Sequence, residues 1–269
     1  MHLSLAGVTF AFADADAEIR RTVSADWPEF LDAQSPTSAV RLDVARTSRV
    51  IPDGSDPTVR VERGGGQARM ERVDFTIDWD RAANRARFDV AGPRAFVAGM
   101  RVLLAEVLRP EGGVLFHASS VRVGSEALIF PGVSGTGKTT VAALGAPRPV
   151  LSDEISAVRV VGDRAVAYPT PFWGDMARVR AASAAPLRAV IVLSRGAPLA
   201  LTEGTPAEAI AALLEGALVF GAEAASRDDK KALVGSVGDI VARTGCWRVR
   251  YALPADPWSL LDPDRAHNS

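Results

Sequence analysis

One cysteine, Cys246, stands among 269 residues. An intrachain disulfide is therefore impossible, which excludes a disulfide-stapled scaffold and makes a reducing cytoplasm the expected location. Asparagine is nearly as scarce. Asn84 and Asn268 are the only two, and neither stands in an Asn-Lys-x-Asp sequence, so the guanine-reading element of a GTPase is missing. No run approaches the ~20 apolar residues of a membrane span. The opening MHLSLAGVTFAFADADA imitates a secretion signal, but it has no Lys or Arg at its start, and Gly7 and Thr9 interrupt its apolar run. Leu3 to Phe12 reads instead as a first β-strand. Blocks of one charge are absent too: 31 Lys and Arg face 32 Asp and Glu, a net charge of −1. Neither nucleic acid nor an anionic membrane is expected as a partner. Internal repeats and low-complexity linkers are also missing.

What is present suffices for one large core or two modest ones, with 48% hydrophobic residues. The first ninety residues read as β-rich. RVDFTID (72–78) alternates, with Val73, Phe75 and Ile77 on one face and Thr76 among the polar residues on the other. ARFDVAG (86–92) alternates as well, and SAVRLDVAR (38–46) and PTVRVERG (57–64) read as further strands, with RGGGQ (63–67) a flexible loop. From Pro93 the apolar positions Phe96, Val97, Met100, Leu103, Leu104 and Val107 trace a helical stripe to about Leu108. The expected division is a β-rich N-terminal domain, 1–92, and a second domain, 93–269. In the latter, VLFHASSVRV (114–123) and EALIFPG (126–132) flank the two-residue hairpin signal Gly124-Ser125. PLRAVIVLSRG (186–196) reads as a buried strand and WRVRYAL (247–253) as an alternating one. TPAEAIAALLEGAL (205–218) is a helix opened by a Thr205/Glu208 capping box, and 228–244 is another helix. The fold class expected from this order is α/β (α+β).

The most specific stretch is PGVSGTGKTT (131–140), which contains Gly132-x-x-x-x-Gly137-Lys138-Thr139, a complete Walker A pattern. Glycines let the backbone turn tightly and aim successive N–H groups at phosphate oxygens. The expected nucleotide-binding set is Gly132, Val133, Ser134, Gly135, Thr136, Gly137, Lys138, Thr139 and Thr140. Lys138 reaches the outer phosphates, the Thr139 hydroxyl serves Mg²⁺, and the following helix presents its N-terminus to the same anion. The strand ALIF before the loop and the helix KTTVAAL after it, stopped at Gly145, supply the required context.

An acidic pair follows in PVLSDEISAV (149–158), where an apolar strand ends at Asp153-Glu154. Paired carboxylates beside a phosphate loop are what Mg²⁺ and a general base require. The short interval after Lys138 accommodates a two-turn helix and a return to an adjacent strand. His117 has two open readings, a satisfied core histidine or a side chain aimed at the terminal phosphate. TPFWGDM (170–176) reads as a rigid loop, either a core plug or part of a substrate groove. Arg178 and Arg180 are candidates for an additional positive charge.

In combination, FHASSV, LIFPGVSGTGKTTVAAL, LSDEISAV and PFWGD resemble the catalytic domain of HPr kinase/phosphorylase and its relatives, which include lasso-peptide kinases. The resemblance covers roughly residues 112–255 and implies a P-loop HPr-kinase-like catalytic domain after the β-rich region. It implies an ATP- and Mg²⁺-dependent kinase acting on a hydroxyl, a serine of a small protein or peptide. Carried over, the loop holds ATP, His117 matches the upstream histidine, Asp153 the general base and Glu154 the second, metal-binding carboxylate, where the family has Asp. In many P-loop hydrolases an Asp-Glu pair works the other way round, the Asp serving the metal and the Glu activating water. The family's Arg-Gly-rich signature loop is not present; PFWGDMARV stands roughly in its place. A nucleotide switch without transfer and a small-molecule kinase are the alternative readings. The family can form higher oligomers, so a homo-oligomer is also implied, although no coiled coil is readable.

Overall fold

The computed structural model describes residues 1–32, 38–48, 56–133, 135–174, 183–221 and 225–262. The protein is of mixed α/β class and forms two compact units, residues 1–108 with 219–230, and residues 109–218 with 231–269.

The first unit contains strands β1 (His2–Leu5) and β2 (Val8–Ala15), helix α1 (Ala17–Asp26), and strands β3 (Leu31–Asp32), β4 (Val40–Arg46), β5 (Arg60–Gly64), β6 (Gln67–Arg72), β7 (Phe75–Asp80) and β8 (Arg85–Val90), then helix α2 (Pro93–Leu108). They form one sheet in the order β3-β1-β2-β4-β8-β7-β6-β5. The segment expected as a single strand, Leu3 to Phe12, is instead a hairpin. Ala6 and Gly7 take positive φ and turn the chain, so Leu3 lies opposite Phe10. Gly65 and Gly66, expected as a flexible loop, form the tight turn between β5 and β6, both with positive φ. The strand expected over 72–78 is broken after Arg72, where the chain turns into β7. Thr76, expected on the solvent side, is buried between the longer side chains of Glu71 and Asp89 in register on either flank.

Helix α2, at the expected boundary between the domains, belongs to the first unit. The ring of Phe96 on α2 meets those of Phe12, Trp27 and Phe88 at centroid distances of 5.5 to 6.2 Å. Gly99 allows the close approach, since a Cβ there would lie 3.1 Å from Ile77 and Phe88. Glu106, buried on the same helix, is bound by the Arg63 guanidinium, which also donates to the Phe220 carbonyl at 3.3 Å. A buried carboxylate needs such a partner to offset its lost hydration.

The second unit runs β9 (Val114–Val123), β10 (Glu126–Pro131), α3 (Lys138–Leu144), β11 (Val150–Ser152), β12 (Ile155–Val161), β13 (Arg164–Tyr168), β14 (Ala185–Arg195), β15 (Ala200–Glu203), α4 (Pro206–Gly216), α5 (Arg227–Val241, in this unit from Lys231 on), β16 (Gly245–Tyr251) and α6 (Trp258–Leu261). The β9–β10 hairpin turns at Gly124, and the Thr205/Glu208 capping box is formed. β10 lies between its antiparallel partner β9 and the parallel β14, which in turn pairs with the parallel β16. Successive β10 side chains enter opposite cores. Ala127 and Ile129 pack with α4 and α5 residues Leu213, Val237 and Ile240, whereas Leu128 and Phe130 pack with Val141 of α3 and Trp258 of α6. A strand buried on both faces reads as the continuous apolar run ALIF.

The strand carrying the acidic pair departs from expectation in two ways. It is not adjacent to β10: β11 pairs with the far side of β9, whose place beside β10 is already taken through the tight hairpin. Nor does 149–158 form one strand. The chain bends at Asp153-Glu154 and continues as β12, because the Ser152 hydroxyl accepts the N–H groups of Glu154 and Ile155 at 3.3 and 3.0 Å. No helix among the described residues is long and apolar enough to cross a membrane.

Candidate functional site

The loop after β10 is shaped by glycines at positions that need them. Gly132, Gly135 and Gly137 have φ of +143°, +85° and +99°, a region that costs little only without a Cβ. Gly137 caps α3 in the left-handed conformation, and no space for a side chain remains between its backbone and the Tyr251 hydroxyl. Lys138 follows at once. Its side chain turns back over the loop, and Nζ donates to the Val133 carbonyl at 2.8 Å. The Thr136 N–H approaches the same carbonyl at 3.4 Å.

Lys138 is only 5% exposed, and burial pushes its ammonium pKa below the ordinary value. An anion beside it would restore the charged form's advantage. Val133 projects from the loop and is exposed, while Thr139 and Thr140 are exposed at the start of α3.

Asp153 reaches the same place from the bend between β11 and β12. It is 2% exposed, and its Oδ1 accepts the Gly174 N–H at 2.9 Å. Its backbone carbonyl accepts the Ser119 hydroxyl of β9 at 2.9 Å. Ser119 and Ser120 are thus packing and hydrogen-bonding residues. Ser156 continues this seam, donating to the Ala118 carbonyl and meeting the Ser120 hydroxyl at 2.8 Å. Three buried hydroxyls therefore stitch β9 to the acidic bend, a network whose members are mutually satisfied. Gly174 lets its backbone approach the carboxylate closely, since a Cβ there would come within 3.1 Å of Asp153 Oδ2.

These groups converge on one cleft of about 540 Å³, lined by His117, the loop residues Gly135 to Thr140 except Thr136, Asp153, Glu154, Trp173, Gly174 and Arg195. His117 is half-buried. Burial, and secondarily the Lys138 charge, hold its pKa below the usual histidine value. His117 borders the cleft. TPFWGDM divides its roles: Phe172 is fully buried in the core, whereas Trp173 and Gly174 form cleft wall. Ser134, Arg178 and Arg180 lie outside the described residues.

The cleft's chemistry fits a magnesium–nucleotide pair. Lys138 and the loop N–H groups suit polyphosphate, the Thr139 hydroxyl and the Glu154 carboxylate are hard oxygen donors of the kind Mg²⁺ takes, and the Asp153 carboxylate beside them is a candidate base. Sequence reasoning missed two participants. Arg195 lines the cleft and donates to the Gly135 carbonyl at 2.6 Å, and Tyr251 donates to the Gly137 carbonyl at 3.2 Å. Neither belongs to a motif. The only available signal was that each ends a strand reading toward the same sheet edge as the loop.

No protein-family model and no curated protein matches the chain. Among solved structures the chain is similar to the HPr(Ser) kinase/phosphatase from Coxiella burnetii, at 7% identity and a TM-score of 0.29, covering 57% of this chain and 95% of that one. The reading of the cleft therefore rests on its own side chains.

Proposed function

We propose that the protein is an ATP- and Mg²⁺-dependent kinase that phosphorylates a hydroxyl, a serine of a small protein or peptide. The observation that supports this is the convergence of Lys138, Thr139, Asp153, Glu154 and His117 on a single cleft. The loop N–H groups and Lys138 bind and orient the phosphates. Thr139 and Glu154 would hold Mg²⁺, which when bound would neutralise charge on the phosphate oxygens. Asp153, oriented by the Gly174 N–H, accepts the proton of the acceptor hydroxyl as that oxygen takes the phosphoryl group. Gly174 lies against this base, and Trp173 lines the same cleft. Burial, and secondarily the Lys138 charge, hold the His117 pKa below its usual value, and the imidazole borders the cleft as a hydrogen-bonding group. The protein or peptide nature of the acceptor rests on the sequence motifs shared with the HPr kinase family.

The deciding experiment incubates the full chain with γ-³²P-ATP, Mg²⁺ and the proteins and peptides encoded beside it. Label on a serine of one of them is the expected result. Release of free phosphate alone, or binding without turnover, would replace the kinase by a nucleotide-dependent switch, and label on a metabolite would make it a small-molecule kinase.

A further inference from the structure

Two strands that carry none of the motifs reach the phosphate loop. β14 and β16 run parallel with Arg195 opposite Tyr251, and the Gly196 N–H donates to the Tyr251 carbonyl at 2.9 Å. From these neighbouring positions, Arg195 Nη2 donates to the Gly135 carbonyl at 2.6 Å, and the Tyr251 hydroxyl donates to the Gly137 carbonyl at 3.2 Å. Both acceptors belong to the glycines of positive φ that shape the loop.

Peptide planarity makes this consequential. In a trans peptide the carbonyl and the next N–H point in opposite directions. Holding the Gly135 carbonyl toward Arg195 turns the Thr136 N–H away from it, toward the Val133 carbonyl that also accepts Lys138 Nζ. The Gly137 carbonyl accepts the Tyr251 hydroxyl beside the Val141 N–H of α3 at 2.9 Å, and the two donors together turn the Lys138 N–H away from that ring. Tyr251 is itself immobilised, being 5% exposed within the core that includes Phe130, Val141 and Trp258.

We infer that Arg195 and Tyr251 are positioning residues of the phosphate loop: from the ends of two paired strands they hold the Gly135 and Gly137 carbonyls, fix the direction of the loop's N–H groups, and so set its affinity for the polyphosphate of a nucleotide. This rests on the nucleotide reading above. Arg195 also lines the cleft, so its charge adds to that of Lys138.

The test uses the full chain with Arg195→Ala, Arg195→Lys, Tyr251→Phe and the double variant Arg195→Ala/Tyr251→Phe. Arg248→Ala is the control, on the same strand but paired with Glu208 at 3.2 Å. Calorimetric titrations use Mg-ATP and inorganic pyrophosphate, and amide exchange at residues 135–140 is followed without ligand. Arg195→Ala and Tyr251→Phe should each weaken both ligands about 5- to 10-fold, the size of one lost hydrogen bond. Exchange at 135–140 should accelerate while the strand amides of β9 and β14 exchange as in wild type. The double variant should lose less than the product of the singles, because both act on one loop. Tyr251→Phe removes a single oxygen and keeps the ring, so folding is preserved if the larger truncation is not tolerated. Wild-type affinity and wild-type exchange in Arg195→Ala and Tyr251→Phe would overturn the inference. So would Arg195→Lys recovering full affinity without recovering exchange protection, which would reduce Arg195 to a charge. If the wild type takes up neither ligand, the nucleotide reading falls, and the exchange data still decide whether the two side chains hold the loop.

Discussion

The Trp258 indole N–H donates to the Val141 carbonyl at 2.8 Å, across 117 residues of chain. Trp258 thereby fastens helix α3, and with it the phosphate loop, from behind. Arg148 lies over the indole at 4.6 Å and is ion-paired with Asp262 at 2.7 Å, and Gly145 leaves room for the ring, since a Cβ there would come within 2.8 Å of it. Trp258→Phe should cost about 1 kcal/mol, the value of the lost hydrogen bond. Trp258→Ala should cost about 3–5 kcal/mol through the cavity it leaves. Urea unfolding of the two variants measures both, and a Trp258→Phe variant as stable as wild type would show that the hydrogen bond contributes nothing.

Lys138→Ala should weaken Mg-ATP binding by about 10- to 100-fold, the range for hydrogen bonds to a charged group. The fold should not suffer, because burial of the ammonium is itself unfavourable. Titration calorimetry and a thermal melt together check this. Wild-type affinity with wild-type turnover would remove the loop from the site.

The acidic pair separates by consequence. Asp153→Asn should lower phosphotransfer by about 10²- to 10⁴-fold, as for a lost general base, with Mg-ATP affinity nearly kept. Glu154→Gln should weaken Mg²⁺-dependent nucleotide binding. The opposite pattern, metal-dependent binding lost in Asp153→Asn and only turnover lost in Glu154→Gln, would assign Asp153 to the metal and Glu154 to the attacking group.

Stability should decline on the acid side through His117. Its folded pKa lies below 6.5, mainly through burial, so below 6.5 the unfolded chain takes up a proton that the folded one still refuses. The contribution is complete above 6.5 and is lost as the pH falls from there toward the folded value. His117→Asn should flatten this limb, measured as urea midpoints at about pH 7.5 and about pH 5. An acid limb as steep as wild type would place the titration elsewhere.

Adenine nucleotides should be preferred over guanine nucleotides, because the chain has no Asn-Lys-x-Asp sequence. Competition between ATP and GTP for the Mg²⁺-loaded cleft is the measurement, and GTP displacing ATP at lower concentration would reverse the preference.

Some of this site was legible because it is local. Strand, glycine loop and Lys138 follow one another within a dozen residues, so backbone freedom and apolar patterning suffice to place them. The Thr205/Glu208 cap and the α2 stripe are local in the same sense. The first hairpin was missed because its turn, Ala6-Gly7, is embedded in an apolar run that alternates no differently on either side.

What the sequence by itself determined, then, is the run of chemistry from Gly132 to Thr140 and the presence of two carboxylates after it. Only the tertiary structure decided which residues complete the site. Arg195 and Tyr251 reach the loop from 60 and 114 positions away, through parallel pairings whose register no short pattern encodes. Asp153 enters the cleft that Lys138 lines although β11 is not next to β10, because a serine turn bends its strand and the hydroxyls of β9 hold the bend. Contacts of that span are set by how strands stack and cores fill, and the energy that selects them is distributed over the whole sheet rather than written at any one position.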